Sequence, residues 1–314
     1  SNYKLVSLSP FFMDKTEDTN KQYREFINWV IDSVAITEYL KDDRYFKGSQ
    51  DSGKRAINWA KVKSPLWQSK SGDIQGRISP MMEAGDVKKS LVSYTYTYVK
   101  ASPDKKGSQL ITETVNVYPE TSTWATDFPN SQTDMMVQAY FTNPAFDDYP
   151  VVGVNWKQAQ AYTNWRTRAG GKGSKQLLDF QLPYSLPSEA QWVYAAQGRQ
   201  NVTIAQADTT AVVRDNRDQL VSNFKQNEGE YTKDGSSYTV HVMSYAPNDF
   251  GLFNMVGNVA EWTLDAYNES AGVFVHDQNP VLLYDAAAGE PDVMKRKVLR
   301  GGSWKDNGAE MGPY

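Results

Sequence analysis

The spacing of apolar residues predicts one unmistakable amphipathic helix near the start of the chain. After Thr19, the residues Tyr23, Phe26, Ile27 and Val30 fall at i, i+3, i+4 and i+7, a single stripe on a helix of about three turns. Three segments share a start signal, a short polar residue followed three positions later by Gln, whose side chains satisfy the orphan amides of a helix N-terminus. They are Thr19 to Gln22, Asn155 to Gln158 and Ser188 to Gln191. The second helix places Trp156, Ala159 and Thr163 on one face and stops at Gly170 and Gly171. In the third, Trp192, Ala195 and Ala196 share a face and Gly198 is the stop. Between the first two helices the period changes to two. SYTYTYVK (93–100) and ITETVNVYPE (111–120) alternate around a Pro-Asp-Lys-Lys-Gly stretch and predict a long β-hairpin. The remainder is rich in Gly, Asn, Asp and Pro. The pattern is α+β, with few helices, short strands, much irregular loop and a large insertion, and it is not a βαβ repeat.

Composition narrows the classes. Of 314 residues, 40% are hydrophobic and 13% aromatic, enough to bury a core. A formal charge of −4 from 33 basic and 37 acidic residues gives no basic footprint, so nucleic acid is not an expected partner. No run reaches the ~18–20 apolar residues of a membrane helix, and no secretory signal pattern is present. The chain begins Ser-Asn without Met, which reads as a processed end, with any anchoring segment lying upstream. With 0 cysteines there is no disulfide, thiolate metal site or cysteine nucleophile.

Few side chains suggest chemistry. His241 and His276 lack the spacing and the cysteine neighbours of a zinc site and read as structural or surface residues. Ser185 and Ser188 lack a nucleophile-elbow context, and Ser188 reads as a helix cap. In GLFNMVGNVAEW (251–262), Asn254, Gly257, Asn258 and Glu261 punctuate an apolar run. Turned carbonyls, a neutral amide oxygen and a carboxylate are what a hard cation such as calcium prefers. The competing reading is a buried tight turn with Glu261 paired to an arginine. Upstream, 222–237 clusters Asn223, Asn227, Glu228, Asp234 and Gly235, either a second oxygen-lined loop or a solvated one.

Five ordered blocks, MDKTEDTNKQYREF (13–26), YPVVGVNWKQAQAYTNWR (149–166), LPSEAQWVYAAQG (186–198), PNDFGLFNMVGNVAEWT (247–263) and RGGSW (300–304), resemble the formylglycine-generating, or sulfatase-modifying, enzyme family. The resemblance implies one domain over 1–314 of the C-type-lectin-like kind, with an insertion at about 33–138. In that family, two cysteines after the Arg-Gly-Gly-Ser-aromatic motif bind copper and oxidise a substrate cysteine. The position matching the first is Asp306, and the chain has no cysteine to match the second. A carboxylate does not replace the soft thiolate that holds copper(I), so no copper and no oxidase activity are expected.

Within the family the insertion, ETVNVYPETSTWATDF (113–128) followed by AYFTNPAFDDYPVVGVNW (139–156), is similar to the GldK/PorK subgroup of gliding-motility and type IX secretion lipoproteins. That likeness implies a noncatalytic subunit in the periplasm, lipid-anchored to the outer membrane through a cysteine upstream of Ser1. It further implies a ring built with a GldN/PorN-type partner and neighbouring copies. Trp124, Phe128, Tyr140 and Phe141 are expected to be exposed for such an interface, or else to pack on their own domain. The resemblance carries one calcium loop onto Asn254, Gly257, Val259 and Glu261, and a second onto Asn223, Phe224, Asp234 and Ser236. The family's first strand is not matched, and the ending NGAEMGPY (307–314) departs from its closing strand. Two other functions stay open at this stage, a sulfatase-modifying-type oxidase with a different centre and a lectin-like module that binds peptidoglycan or another glycan.

Overall fold

The computed structural model describes residues 5–47, 55–63, 65–101, 108–126, 134–169, 183–198, 222–225 and 238–306. Its contacts divide the chain into two compact units, Lys21–Gln138 with Gly153–Asp179, and Ser1–Asn20 with Ala139–Val152 and Phe180–Tyr314. Among the described residues every sheet is a two-stranded antiparallel pair, and no helix is long and apolar enough to cross a membrane. Helices with short strands and extensive loop make this an α+β architecture.

In the first of these units, helix α1 (Asn20–Val34) carries the predicted stripe. Tyr23, Phe26, Ile27 and Val30 are all buried. The chain then widens its turn into a π-helical segment, Ala35–Leu40, that ends on Lys41 in left-handed backbone. Strands β1 (Ser93–Ala101) and β2 (Ser108–Asn116) form the expected hairpin, in register from Ser93 opposite Asn116 to Ala101 opposite Ser108. A hairpin alone is marginal in water. Its Tyr94 and Tyr96 are buried and stack along one face, while Thr95 and Thr97 bond across to Thr114 and Thr112 on the other.

Helix α2 (Trp156–Ala169) starts on the predicted capping box: Asn155 N–H donates to Gln158 Oε1 at 2.8 Å, and Gln158 N–H to Asn155 Oδ1 at 3.0 Å. Its buried face corrects the sequence expectation. Gln158, Ala161 and Tyr162 are buried in place of Trp156, Ala159 and Thr163. The reason is aromatic packing: Tyr162 and Trp165 meet Phe26 at 5.7 and 5.2 Å between ring centroids, and Tyr162 meets Tyr23 at 5.2 Å. The polar Gln158 is tolerated inside because its amide donates to the carbonyls of Asn116 and Tyr118. So the 33–138 segment shares one core with α1 and α2. The expected stop at Gly170 and Gly171 lies outside the described residues.

In the other unit, α3 (Glu189–Gln197) has a complete capping box between Ser188 and Gln191 and ends at Gly198 with φ 67°. Trp192 and Ala195 are buried, as the spacing predicts. Strands β3 (Glu261–Ala266) and β4 (Lys297–Arg300) pair antiparallel, with an irregularity between Trp262 and Ala266. Of the two readings left open for the aromatic residues, exposure at an interface or packing on their own domain, the described ones take the second. Trp124, Tyr140 and Phe141 are buried, and Phe128 lies outside the described residues. Tyr140 is held inward by its hydroxyl, which donates to Pro150 O at 2.6 Å and lies 2.9 Å from Thr239 Oγ1.

Candidate functional site

Glu261 opens β3 and stands opposite Arg300, which closes β4. The loop entering β3 and the turn leaving β4 therefore lie side by side, and both need backbone that most residues resist. Asn254, Gly257 and Asn258 have φ of 48°, 81° and 64°, and Gly301 and Gly302 have 91° and 68°. A Cβ on Gly301 would stand 3.3 Å from Trp192 Cζ2 and 3.5 Å from Met255 O, so the Gly-Gly turn is a close-approach device. Two backbone bonds stitch loop to turn: Gly257 N–H to Gly301 O at 2.8 Å and Trp304 N–H to Asn258 O at 3.0 Å.

Asn258, fully buried, is the hub beneath this turn. Its amide donates to Glu17 Oε1 at 2.8 Å and Val240 O at 3.2 Å, and its oxygen accepts from Val240 N–H at 2.8 Å and Asn223 Nδ2 at 3.3 Å. Asn254 donates to the other Glu17 oxygen at 3.1 Å. Glu17 is brought here by the 15–20 segment, which bonds to Tyr149 and Val151 on one side and to Phe253 on the other. A buried carboxylate is costly unless neutralised or matched by donors. Burial, with Glu261 nearby, pushes the Glu17 carboxyl up to about 8. Burial raises Glu261 to about 7, against the opposing effect of the Trp192 indole, which donates to its Oε2 at 2.7 Å.

The structure thus places the sequence-derived residues as follows. Asn254, Gly257, Val259 and Glu261 lie on the loop entering β3. Asn223 and Phe224 join them through Asn223 O, which accepts Asn258 N–H at 2.8 Å. Asp234 and Ser236 lie outside the described residues. The expected arginine partner of Glu261 is corrected: Arg300 bonds Glu189, and Glu261 takes the indole of Trp192. Glu189 opens α3, which packs against β4, and offers Arg300 its carboxylate, while the Trp192 indole occupies Glu261 Oε2. Glu17 and the hub role of Asn258 were missed. Their sequence separation of 241 residues hides the contact, and the only trace was an acidic residue inside the block MDKTEDTN.

Two further atoms matter. Among the described residues, the Oδ1 atoms of Asn254 and Asn223 are buried and have no hydrogen-bond partner. A buried acceptor without a donor costs about 1–3 kcal/mol, and a hard cation bound by neutral oxygens removes that cost. No group of three or more His, Cys, Asp or Glu is placed to hold a metal among the described residues, so a cation here rests largely on amide and carbonyl oxygens. Amide and carbonyl oxygens are donors of the kind calcium takes, and they are not the soft sulfur donors of copper(I). Asp306 Oδ2 accepts from Ser303 N–H at 2.7 Å and Ser303 Oγ at 2.8 Å, and a carboxylate oxygen is not the soft donor that copper(I) takes.

The chain is similar to several known proteins. It is 31% identical over 168 residues to the serine/threonine-protein kinase pkn1 of Chlamydia pneumoniae, covering 52% of this chain and 20% of that protein. It is 29% identical over 160 residues to inactive C-alpha-formylglycine-generating enzyme 2 of Bos taurus, covering 51% and 40%. The formylglycine-generating enzyme of Thermomonospora curvata is 24% identical over 307 residues, covering 96% and 73%. The chain spans a fifth of the length of the chlamydial kinase and two fifths of that of the bovine protein. The model of the sulfatase-modifying factor enzyme 1-like domain matches residues 2–313, and the chain belongs to that family.

Proposed function

We propose that this protein is a noncatalytic member of its family that serves as a structural subunit of the type IX secretion and gliding-motility machinery. On this reading it is a periplasmic lipoprotein that builds a ring with a GldN/PorN-type partner. The observation that carries the noncatalytic part is Asp306. The residue at the position of the first copper thiolate is a carboxylate spent on closing its own turn, and the chain contains 0 cysteines. Oxidation of a thiol to an aldehyde through a sulfur-ligated copper centre has no reagent here. A relative named as an inactive formylglycine-generating enzyme supports the same reading. The secretion role rests on the likeness of the insertion to the GldK/PorK subgroup.

Calcium belongs to this reading as a structural ligand. Asn254 and Glu261, with the carbonyls of Gly257 and Val259, would hold one ion, and Asn223, Phe224, Asp234 and Ser236 a second. When bound, the ion supplies positive charge to buried oxygens. The chain's own residues do the rest: Trp192 orients Glu261, and Asn258 fixes Glu17. With Trp124, Tyr140 and Phe141 buried, a protein partner needs other apolar surface. Leu5, Phe12, Tyr194 and Phe250 are exposed around an apolar opening of about 1110 Å³.

Two measurements test the proposal. The protein, supplied with copper and a sulfatase-type cysteine peptide, is expected to yield no formylglycine by mass spectrometry. Mixed with a GldN/PorN-type partner, it is expected to form a larger species by size exclusion with light scattering. Aldehyde formation sinks the noncatalytic reading, and persistent monomers sink the assembly role.

A further inference from the structure

Asp306 sits at one corner of a closed hydrogen-bonded circuit. Its carboxylate takes both donors of Ser303, and its own N–H donates to Ser303 O at 3.0 Å, which fixes the turn 303–306. Its carbonyl accepts Lys225 N–H at 3.1 Å. Two residues earlier in that strand-like stretch, Asn223 O accepts Asn258 N–H at 2.8 Å, and Asn258 O accepts Trp304 N–H at 3.0 Å, which returns to the turn. Three segments far apart in sequence, 223–225, 258 and 303–306, are thereby held in one ring. Asn223, whose buried Oδ1 has no donor among the described residues, is fixed by that ring and by its own amide bonds to Tyr238 O and Asn258 Oδ1.

We propose that Asp306 is a positioning residue for the buried oxygen cluster: the side chain at the former thiolate position holds the turn that holds Asn223 and Asn258 in place for a cation. The sequence at 306 is then an exchange of roles in addition to a loss of sulfur. A thiol would accept the two Ser303 donors weakly, whereas a carboxylate accepts both through charge-assisted bonds. This inference rests on the calcium reading above and is independent of the secretion role.

The test titrates Ca2+ into chelator-stripped wild type, D306A, D306N and, as an unrelated destabilised control, V30A, following both calorimetry and amide hydrogen exchange. Outer partners that orient metal-binding groups typically cost 10–100-fold in affinity when removed. D306A is therefore expected to weaken Ca2+ binding by about tenfold or more and to speed exchange at Lys225, Asn258 and Trp304. D306N, which keeps an acceptor at the same place, is expected to retain most of both. V30A is expected to lose thermal stability and keep the wild-type Ca2+ affinity. Wild-type affinity in D306A overturns the proposal, as does equal weakening in V30A. If wild type itself shows no Ca2+ response, the cation reading fails and the positioning role with it, while unchanged exchange in D306A would refute the ring lock separately.

Discussion

Replacing Asn258 by alanine removes four hydrogen bonds from one fully buried site. The Glu17 carboxyl loses a donor at Oε1, Val240 loses partners for both its N–H and its C=O, and the Asn223 side-chain amide keeps Tyr238 O. Net worth is about 0.5–1.5 kcal/mol for a neutral bond and about 1.5–3 when one partner is charged. At pH 7 the Glu17 carboxyl, pushed up to about 8, largely keeps its proton, so all four count as neutral bonds and together come to roughly 2–6 kcal/mol. Alanine also takes over a backbone with φ 64°, which Asn tolerates better than Ala, so part of the left-handed penalty of about 1–2 kcal/mol is added. Against a typical total of about 5–15 kcal/mol, N258A should consume a large part of the stability of its unit. Glycine at 258 loses the same bonds without the backbone strain, so N258G should be more stable than N258A by about 1 kcal/mol. Urea denaturation at pH 7 reads both as shifts in midpoint at unchanged slope. A loss below about 1 kcal/mol in N258A would refute the hub, and N258A equal to or above N258G would refute the strained-backbone argument.

Two other outcomes follow from the same geometry. Glu17, raised by burial from an ordinary 4.5 to about 8, binds its proton more tightly folded than unfolded, so its contribution is present below about 4.5 and is lost as pH rises through 8. In chelator, wild-type stability should fall from pH 5 to 9. E17Q should flatten that fall, since glutamine carries no titrating proton and keeps an oxygen for the Asn258 and Asn254 amides, and an E17Q profile parallel to wild type would refute the assignment. In the other unit, a Cβ at Gly153 would lie 2.2 Å from Glu120 O, at φ +79°, where Gly153 O also accepts Glu120 N–H at 2.8 Å. G153A should cost several kcal/mol, of the order of severe core lesions, and a thermal midpoint within ~2 °C of wild type would contradict that close approach.

What the sequence determined by itself was local. A capping box closes within four residues, so the boxes at Asn155 and Ser188 were legible, as were the stripe on α1 and the period-two hairpin. A turn before Glu261 was legible in Asn254, Gly257 and Asn258, residue types that take left-handed backbone at small cost. The missing thiols were legible too, since composition needs no fold. Which face of α2 is buried depended on Phe26 arriving from α1 and was beyond its own periodicity. Whether an aromatic residue such as Tyr140 faces water depended on a distant hydroxyl partner, Thr239. Glu17 acquired its role only when Asn254 and Asn258 were folded against it, because a carboxylate in water is ordinary and the same carboxylate enclosed by amides is a constraint. Residue type and spacing set the local turns and caps. Tertiary structure decided which polar groups lost their water, and that loss made them a site.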